Sequence, residues 1–153
     1  SRQLYLGCRF AWKNDMAVQA AIRYCDVVSY NRYTYDVHNL TLPGKADKPL
    51  IIGEFHFGAL DRGMFHAGMR AARSQQHRGK LYQNYIHGAL TNPILVGAHW
   101  FQYVSQATTG RPDGENYDVG LVDICDTPYK ELTEAVRETH RQLYPLRWGA
   151  VPP

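Results

Sequence analysis

The chain has 153 residues, 44% of them apolar and 20% charged, which is enough to bury one core and ordinary for a globular domain. The formal charge of +3 is small and its Lys and Arg are interspersed with Asp and Glu, so no run of cations is available to neutralise several phosphates, and nucleic acid is excluded as an expected partner. No apolar stretch approaches membrane-spanning length, and no charged-then-apolar leader opens the chain.

In chain order, Leu4 to Phe10 reads as a short strand broken by Gly7. Asp15 then offers an N-cap for an apolar-rich helix through Tyr24. Asp26 to Tyr30 reads as a second strand, followed by Asn31-Arg-Tyr-Thr-Tyr35 and a polar stretch through Pro43-Gly44 with at most a short helix. Pro49-Leu-Ile-Ile52 is a continuous apolar run of the kind that is covered on both faces, and it leads straight into Gly53-Glu54. Leu81, Tyr82, Tyr85, Ile86, Ala89 and Leu90 then keep a helical period from Ser74 onward, stopped by Asn92-Pro93. Ile94 to Phe101 is a fourth strand. After a Gly- and Asp-rich loop from Gln106 to Asn116 comes an extended piece, Val119 to Ile124, and Thr127-Pro128 supplies the N-cap and first-turn proline of a last helix. Strands alternating with helices imply parallel βα units and an α/β class.

The polar residues beside the predicted strand ends choose between an open sheet and part of a barrel. Arg9 and Trp12, Tyr30 and Asn31, Glu54 and His56, then His99, Trp100 and Gln102 stand there in turn, which is the pattern of a barrel mouth. Neither a Gly-x-Gly-x-x-Gly turn nor a phosphate loop follows any strand, so nucleotide binding is disfavoured. Eleven Tyr, five Phe and three Trp, many beside Gly, Asn, Asp and Arg, suit a site for a flat hydroxylated ligand such as a sugar, although any single ring could equally fill the core. Cys8, Cys25 and Cys125 lack metal-ligand spacing and are expected as buried thiols; the dispersed histidines give no metal motif, and no cofactor is called for.

Glu54 is the conspicuous carboxylate, because a charge at the end of an apolar strand must be paired or hydrogen-bonded. It reads either as a structural ion pair, with Arg9 or Arg62, or as a fixed carboxylate of the kind that attacks an anomeric carbon. Lys48-Pro-Leu-Ile-Ile-Gly-Glu-Phe-His-Phe-Gly-Ala-Leu-Asp-Arg-Gly63 resembles the nucleophile strand of the β-agarase family of glycoside hydrolases. The stretches from Asn92 to Tyr103, Thr109 to Tyr117 and Val122 to Tyr129 are similar to that family's final strand and loop.

This resemblance implies a retaining (β/α)8 TIM barrel, with Glu54 as nucleophile ending strand seven. The four βα units here then correspond to strands five to eight, and residues 1–153 to the C-terminal half of the catalytic barrel. The N-terminal half, with the Asn-Glu acid/base pair of strand four, is absent; no Asn-Glu dipeptide occurs in the chain. The resemblance further implies a Tyr or His beside the nucleophile, for which Tyr30 is the candidate; Arg9 could neutralise Glu54, and His56 and His99 could support Glu54 or bind substrate hydroxyls. Arg9 could instead contact substrate. Trp100 matches the last-strand Trp that walls the sugar site, and His99, Gln102, Glu115 and Asn116 are the other candidate substrate contacts; Asp61 and Arg62 are expected to fix the loop after Glu54. The expected partners are a galactan or oligosaccharide substrate and either the missing half-barrel or a second copy, with the parent secreted or periplasmic. Two alternatives stay open: a β-galactosidase or other glycosidase of the same clan, and a non-catalytic carbohydrate-binding remnant.

Overall fold

The computed structural model describes residues 3–149. Four strands, β1 (Arg9–Phe10), β2 (Val28–Asn31), β3 (Leu50–Phe55) and β4 (Leu95–Trp100), form one sheet in the order β1-β2-β3-β4, every pair parallel. The helices α1 (Asp15–Tyr24), α2 (Gln75–Thr91) and α3 (Lys130–Arg147) complete an α/β unit in which α1 bridges β1 to β2 and α2 bridges β3 to β4. Parallel neighbours cannot be joined by a tight turn, which is why each crossover is long.

The apolar run of β3 is covered as its composition requires: Leu50, Ile52 and Phe55 are fully buried. Phe55 lies flat on Tyr85 of α2 with ring centroids 4.1 Å apart, while Trp100 of β4 stands edge-on to Phe55 at 5.2 Å. Against α2 packs α3, closest at Gly79, where an added Cβ would stand 2.9 Å from the Ala135 side chain and from the Glu131 carbonyl. Leu132 at that interface is fully buried.

Several boundaries differ from the sequence reading. The first strand is only two residues long, because Gly7 takes a left-handed φ of 59° and Leu4, Tyr5 and Leu6 lie exposed, tied by Asp26, whose N–H donates to the Tyr5 carbonyl and whose carboxylate accepts from the Tyr5 N–H. Asn14, not Asp15, caps α1, its Oδ1 accepting from the Ala17 N–H. The third strand continues through Gly53 to Phe55, so Glu54 is inside it. Residues 119–124 form isolated bridges rather than a strand, since Val122 meets both Val104 and Pro128 across turns. The last helix starts at Lys130 with Tyr129 as N-cap and no side-chain cap; the Thr127 N–H is already taken by Asp123 Oδ1. Of the thiols only Cys25 is buried, since Cys8 follows the exposed Gly7 turn and Cys125 sits in a surface turn.

Behind the strand ends lies a polar cluster without solvent access. Arg78 of α2 is completely buried and donates to the Phe57 carbonyl (2.8 Å), the Gly120 carbonyl (2.8 Å) and Gln75 Oε1 (2.6 Å). Gln75 in turn donates to Asp118, whose other oxygen accepts from Ser105 (2.7 Å) and Tyr129 (2.6 Å). Burial lowers the Arg78 pKa to about 10, against the opposing pull of Asp118. Because removing one member leaves a buried charge and stranded carbonyls, Arg78→Met should cost about 3 kcal/mol of unfolding free energy, read from urea titration; a loss below about 1 kcal/mol would contradict the account.

Candidate active site

Glu54 lies near the C-terminal end of β3, its side chain 14% exposed. Its two oxygens are separately engaged: Arg9 Nη2 reaches Oε1 at 2.8 Å, and the Tyr33 hydroxyl donates to Oε2 at 2.7 Å. Gly53 makes room for this, because a Cβ there would run into the aliphatic stem of Arg9. Arg9 comes from β1, Tyr33 from the turn after β2 and Glu54 from β3, so three successive strand ends converge on one carboxylate.

Of the two arginines expected as partners, Arg9 holds Glu54, and Arg62 pairs instead with Glu131 at the start of α3. The tyrosine beside Glu54 is Tyr33 and not Tyr30. Tyr30 is in register with Ile52 and buried with it, edge-on to Phe10 and under the Lys13 ammonium. A register shift after Tyr30 sets Asn31 opposite Glu54, and the chain then turns, with the Arg32 N–H bonded to the Glu54 carbonyl, which brings Tyr33 over the carboxylate. The segment holding Tyr33 was visible in the sequence, but nothing in it distinguishes Tyr33 from its neighbours before the shift is known. Burial, with the Glu54 hydrogen bond and charge behind it, raises the Tyr33 pKa far above the ordinary phenol range, so the hydroxyl keeps its proton and acts as donor.

His56 is buried and does not touch Glu54 directly. Its Nε2 accepts from the Met69 N–H (2.8 Å), which places the proton of the neutral ring on Nδ1, facing the Phe101 carbonyl (3.1 Å). Its ring lies against that of Tyr33 at 4.7 Å. Asp61 accepts from the Gln75 N–H at the start of α2, so together with Arg62 it ties the loop after β3 to α2 and α3.

The remaining candidates divide. Glu115 accepts from Gln106 (2.8 Å) and pairs with Arg111 (3.4 Å), and its charge adds to the upward push on Tyr33. Asn116 is half-buried beside it. Gln102 bonds the Val104 carbonyl. Trp100 is half-buried, edge-on to Phe55 and Tyr82, with its indole N–H on the Val119 carbonyl. His99 is exposed and lines a cavity of about 460 Å³ with Tyr82, His140 and Leu143; none of Arg9, Tyr33 and Glu54 borders it. Among the described residues no three His, Cys, Asp or Glu stand together as a metal site.

Burial lowers the His56 pKa from 6.5 to about 4. A base depressed on folding stabilises the fold fully above its unfolded pKa; as pH falls from about 6.5 to about 4 the unfolded chain takes the proton first and stability drains away. The loss attributable to this ring should reach about 3 kcal/mol, and His56→Gln should flatten that part of the stability–pH curve; an unchanged slope would remove His56 as its source.

No family model matches the chain. It is 49% identical over 151 residues to β-agarase B of Vibrio sp. (strain JT0107), a match that covers 95% of this chain and 16% of that protein. A solved exo-β-agarase aligns with a TM-score of 0.87 and 47% identity over 95% of this chain and 20% of its own. The crystal structure of an agarase, AgWH50C, aligns with a TM-score of 0.88 and 49% identity over 94% of this chain and 23% of its own. The chain therefore spans about one sixth of the length of that curated relative. These β-agarases are homologues of the chain, which corresponds to a small part of each.

Proposed function

We propose that the chain supplies the nucleophile side of a retaining glycoside hydrolase that cleaves β-galactosidic links in agarose or a related galactan. The observation behind this reading is the Glu54 carboxylate, mostly buried at the end of a parallel strand and clamped by Arg9 and Tyr33. A structural ion pair needs only the arginine. The second clamp, a phenol that stays protonated, orients one oxygen while the other balances Arg9, as in-line attack on an anomeric carbon requires.

In this mechanism a Glu54 oxygen attacks the anomeric carbon as the glycosidic bond breaks, and the leaving oxygen takes a proton from an acid. The resulting glycosyl ester is hydrolysed by water, which gives its proton back to that same group and frees Glu54. The acid must stand roughly 5–5.5 Å from the nucleophile. Glu115 is committed to Gln106 and Arg111, so we assign the acid to a part of the protein outside this chain.

The sheet then represents strands five to eight of a (β/α)8 barrel, and residues 1–153 its C-terminal half. The small share of the β-agarases that the chain spans supports this, as does the all-parallel sheet, whose outer strands β1 and β4 have neighbours on one side only among the described residues. An enzyme for a polymeric galactan works outside the cytoplasm, secreted or periplasmic. Gel filtration of the chain alone should show self-association through those edges, whereas a well-dispersed monomer would argue against a missing complement.

In the complete polypeptide Glu54→Gln should abolish turnover of agarose, and normal activity in that variant would end the assignment. Tyr33→Phe should leave the fold intact and lower kcat about tenfold to a hundredfold, since it removes one donor from the nucleophile and no bulk. Tyr30→Phe serves as the comparison and should stay within about threefold of the parent.

A further inference from the structure

Four rings lead away from Glu54 in a row. Tyr33, bonded to the carboxylate, lies against His56 at 4.7 Å; Tyr117 stands edge-on to His56 at 6.0 Å; His66 lies over Tyr117 at 4.7 Å, tilted by 32°. The outer pair is held firmly by backbone. The Asp118 N–H donates to the His66 carbonyl (2.7 Å), which stitches the loop after β3 to the loop after β4 where the two rings meet, and within the latter loop the Tyr117 N–H donates to Gln106 Oε1 (2.8 Å).

The polar ends of this pair are unused. Tyr82, Tyr85 and Tyr129 each engage a protein partner through the hydroxyl, but among the described residues the Tyr117 hydroxyl has none. His66 Nδ1 accepts from the Gly68 N–H (2.9 Å), so its neutral ring carries the proton on Nε2, which likewise meets no protein acceptor. The Asn116 side chain next to them makes no bond within the described residues either. A fixed flat aromatic face flanked by unspent donors and acceptors is the chemistry that a pyranose recognises, apolar C–H face to ring and hydroxyls to the polar rim.

We propose that Tyr117 and His66, with Asn116 at their edge, form a saccharide subsite that binds a sugar unit of the galactan beyond the unit attacked at Glu54. This rests on the glycosidase reading of Glu54 and adds to it a substrate-length determinant. The stitching of the two loops gives the subsite a fixed position relative to the carboxylate, through His56, which bonds both the Met69 N–H of one loop and the Phe101 carbonyl that begins the other.

The test is titration of the complete polypeptide carrying Glu54→Gln with agarose-derived oligosaccharides of graded length. Tyr117→Ala in that background should weaken the longer oligosaccharides about tenfold and leave the shortest unchanged, while Tyr117→Phe, which keeps the ring, should lose no more than about threefold. Equal weakening at every length, or none, overturns the subsite, because a merely structural ring has no reason to distinguish lengths. If Tyr117→Ala does not fold, His66→Ala is read by the same length criterion. The two readings fail differently: a Glu54→Gln enzyme that still turns over agarose defeats the nucleophile assignment while the length profile still decides the subsite, and a parent that binds no oligosaccharide defeats both.

Discussion

A guanidinium enclosed by the fold, away from bulk solvent, must find its acceptors among the carbonyl and amide oxygens that can be brought to it, and Arg78 brings three segments together in doing so. Its donors fall on Phe57 just past β3, on Gly120 in the loop after β4 and on Gln75 one turn back in α2. Through Gln75 the charge is linked to Asp118, and through Asp118 to Ser105 and to Tyr129 at the head of α3. The long irregular connection between β4 and α3 has little regular structure of its own, so its course is set by this cluster. Such an arrangement is costly if any member is missing and rigid when all are present.

The clamp at Glu54 stands on that rigidity. Phe55 turns toward the helices and stacks on Tyr85, while Glu54 beside it turns to the strand-end mouth; alternation along β3 separates core from chemistry within two residues. Tyr33 would be a loosely held loop side chain were its ring not against His56, and His56 is itself locked between the Met69 N–H and the Phe101 carbonyl. The positions of the loops after β3 and β4, governed by Arg78 and Asp118, are thereby passed to the hydroxyl that orients the carboxylate. A neutral, buried His56 suits this task better than a charged one, since it can accept on one side and donate on the other.

Arg9 is about half exposed although it pairs with a mostly buried carboxylate, and among the described residues β1 and β4 each lack a neighbour on one side. The β-agarases that match nearly all of this chain are several times longer. In the reading proposed above, the further polypeptide closes both edges and faces Glu54 with the proton donor, so that the two functional carboxylates meet only when the two halves of the sheet do.

The sequence by itself determined the order of parallel strands and helices and marked Glu54 as a carboxylate that must be paired. Apolar runs, helical spacing and the stops at Asn92-Pro93 are local signals, and a carboxylate following Leu50-Ile51-Ile52 demands a partner wherever the strand ends up. The ends of the elements were less legible: Gly7 cut β1 short, and β3 ran on past the apolar run, through Gly53 and Glu54 to Phe55. Which tyrosine meets Glu54 was decided only by the tertiary structure, because a one-residue register shift after Tyr30 exchanges the faces of everything that follows. The same holds for Trp100, whose seat against Phe55 depends on the pairing of β3 with β4, and for Arg78, an unremarkable residue in a polar helix until two distant carbonyl oxygens join that of Gln75 around it. Local chemistry says that a charge needs partners; only the packing of separate strands and loops says which partners arrive.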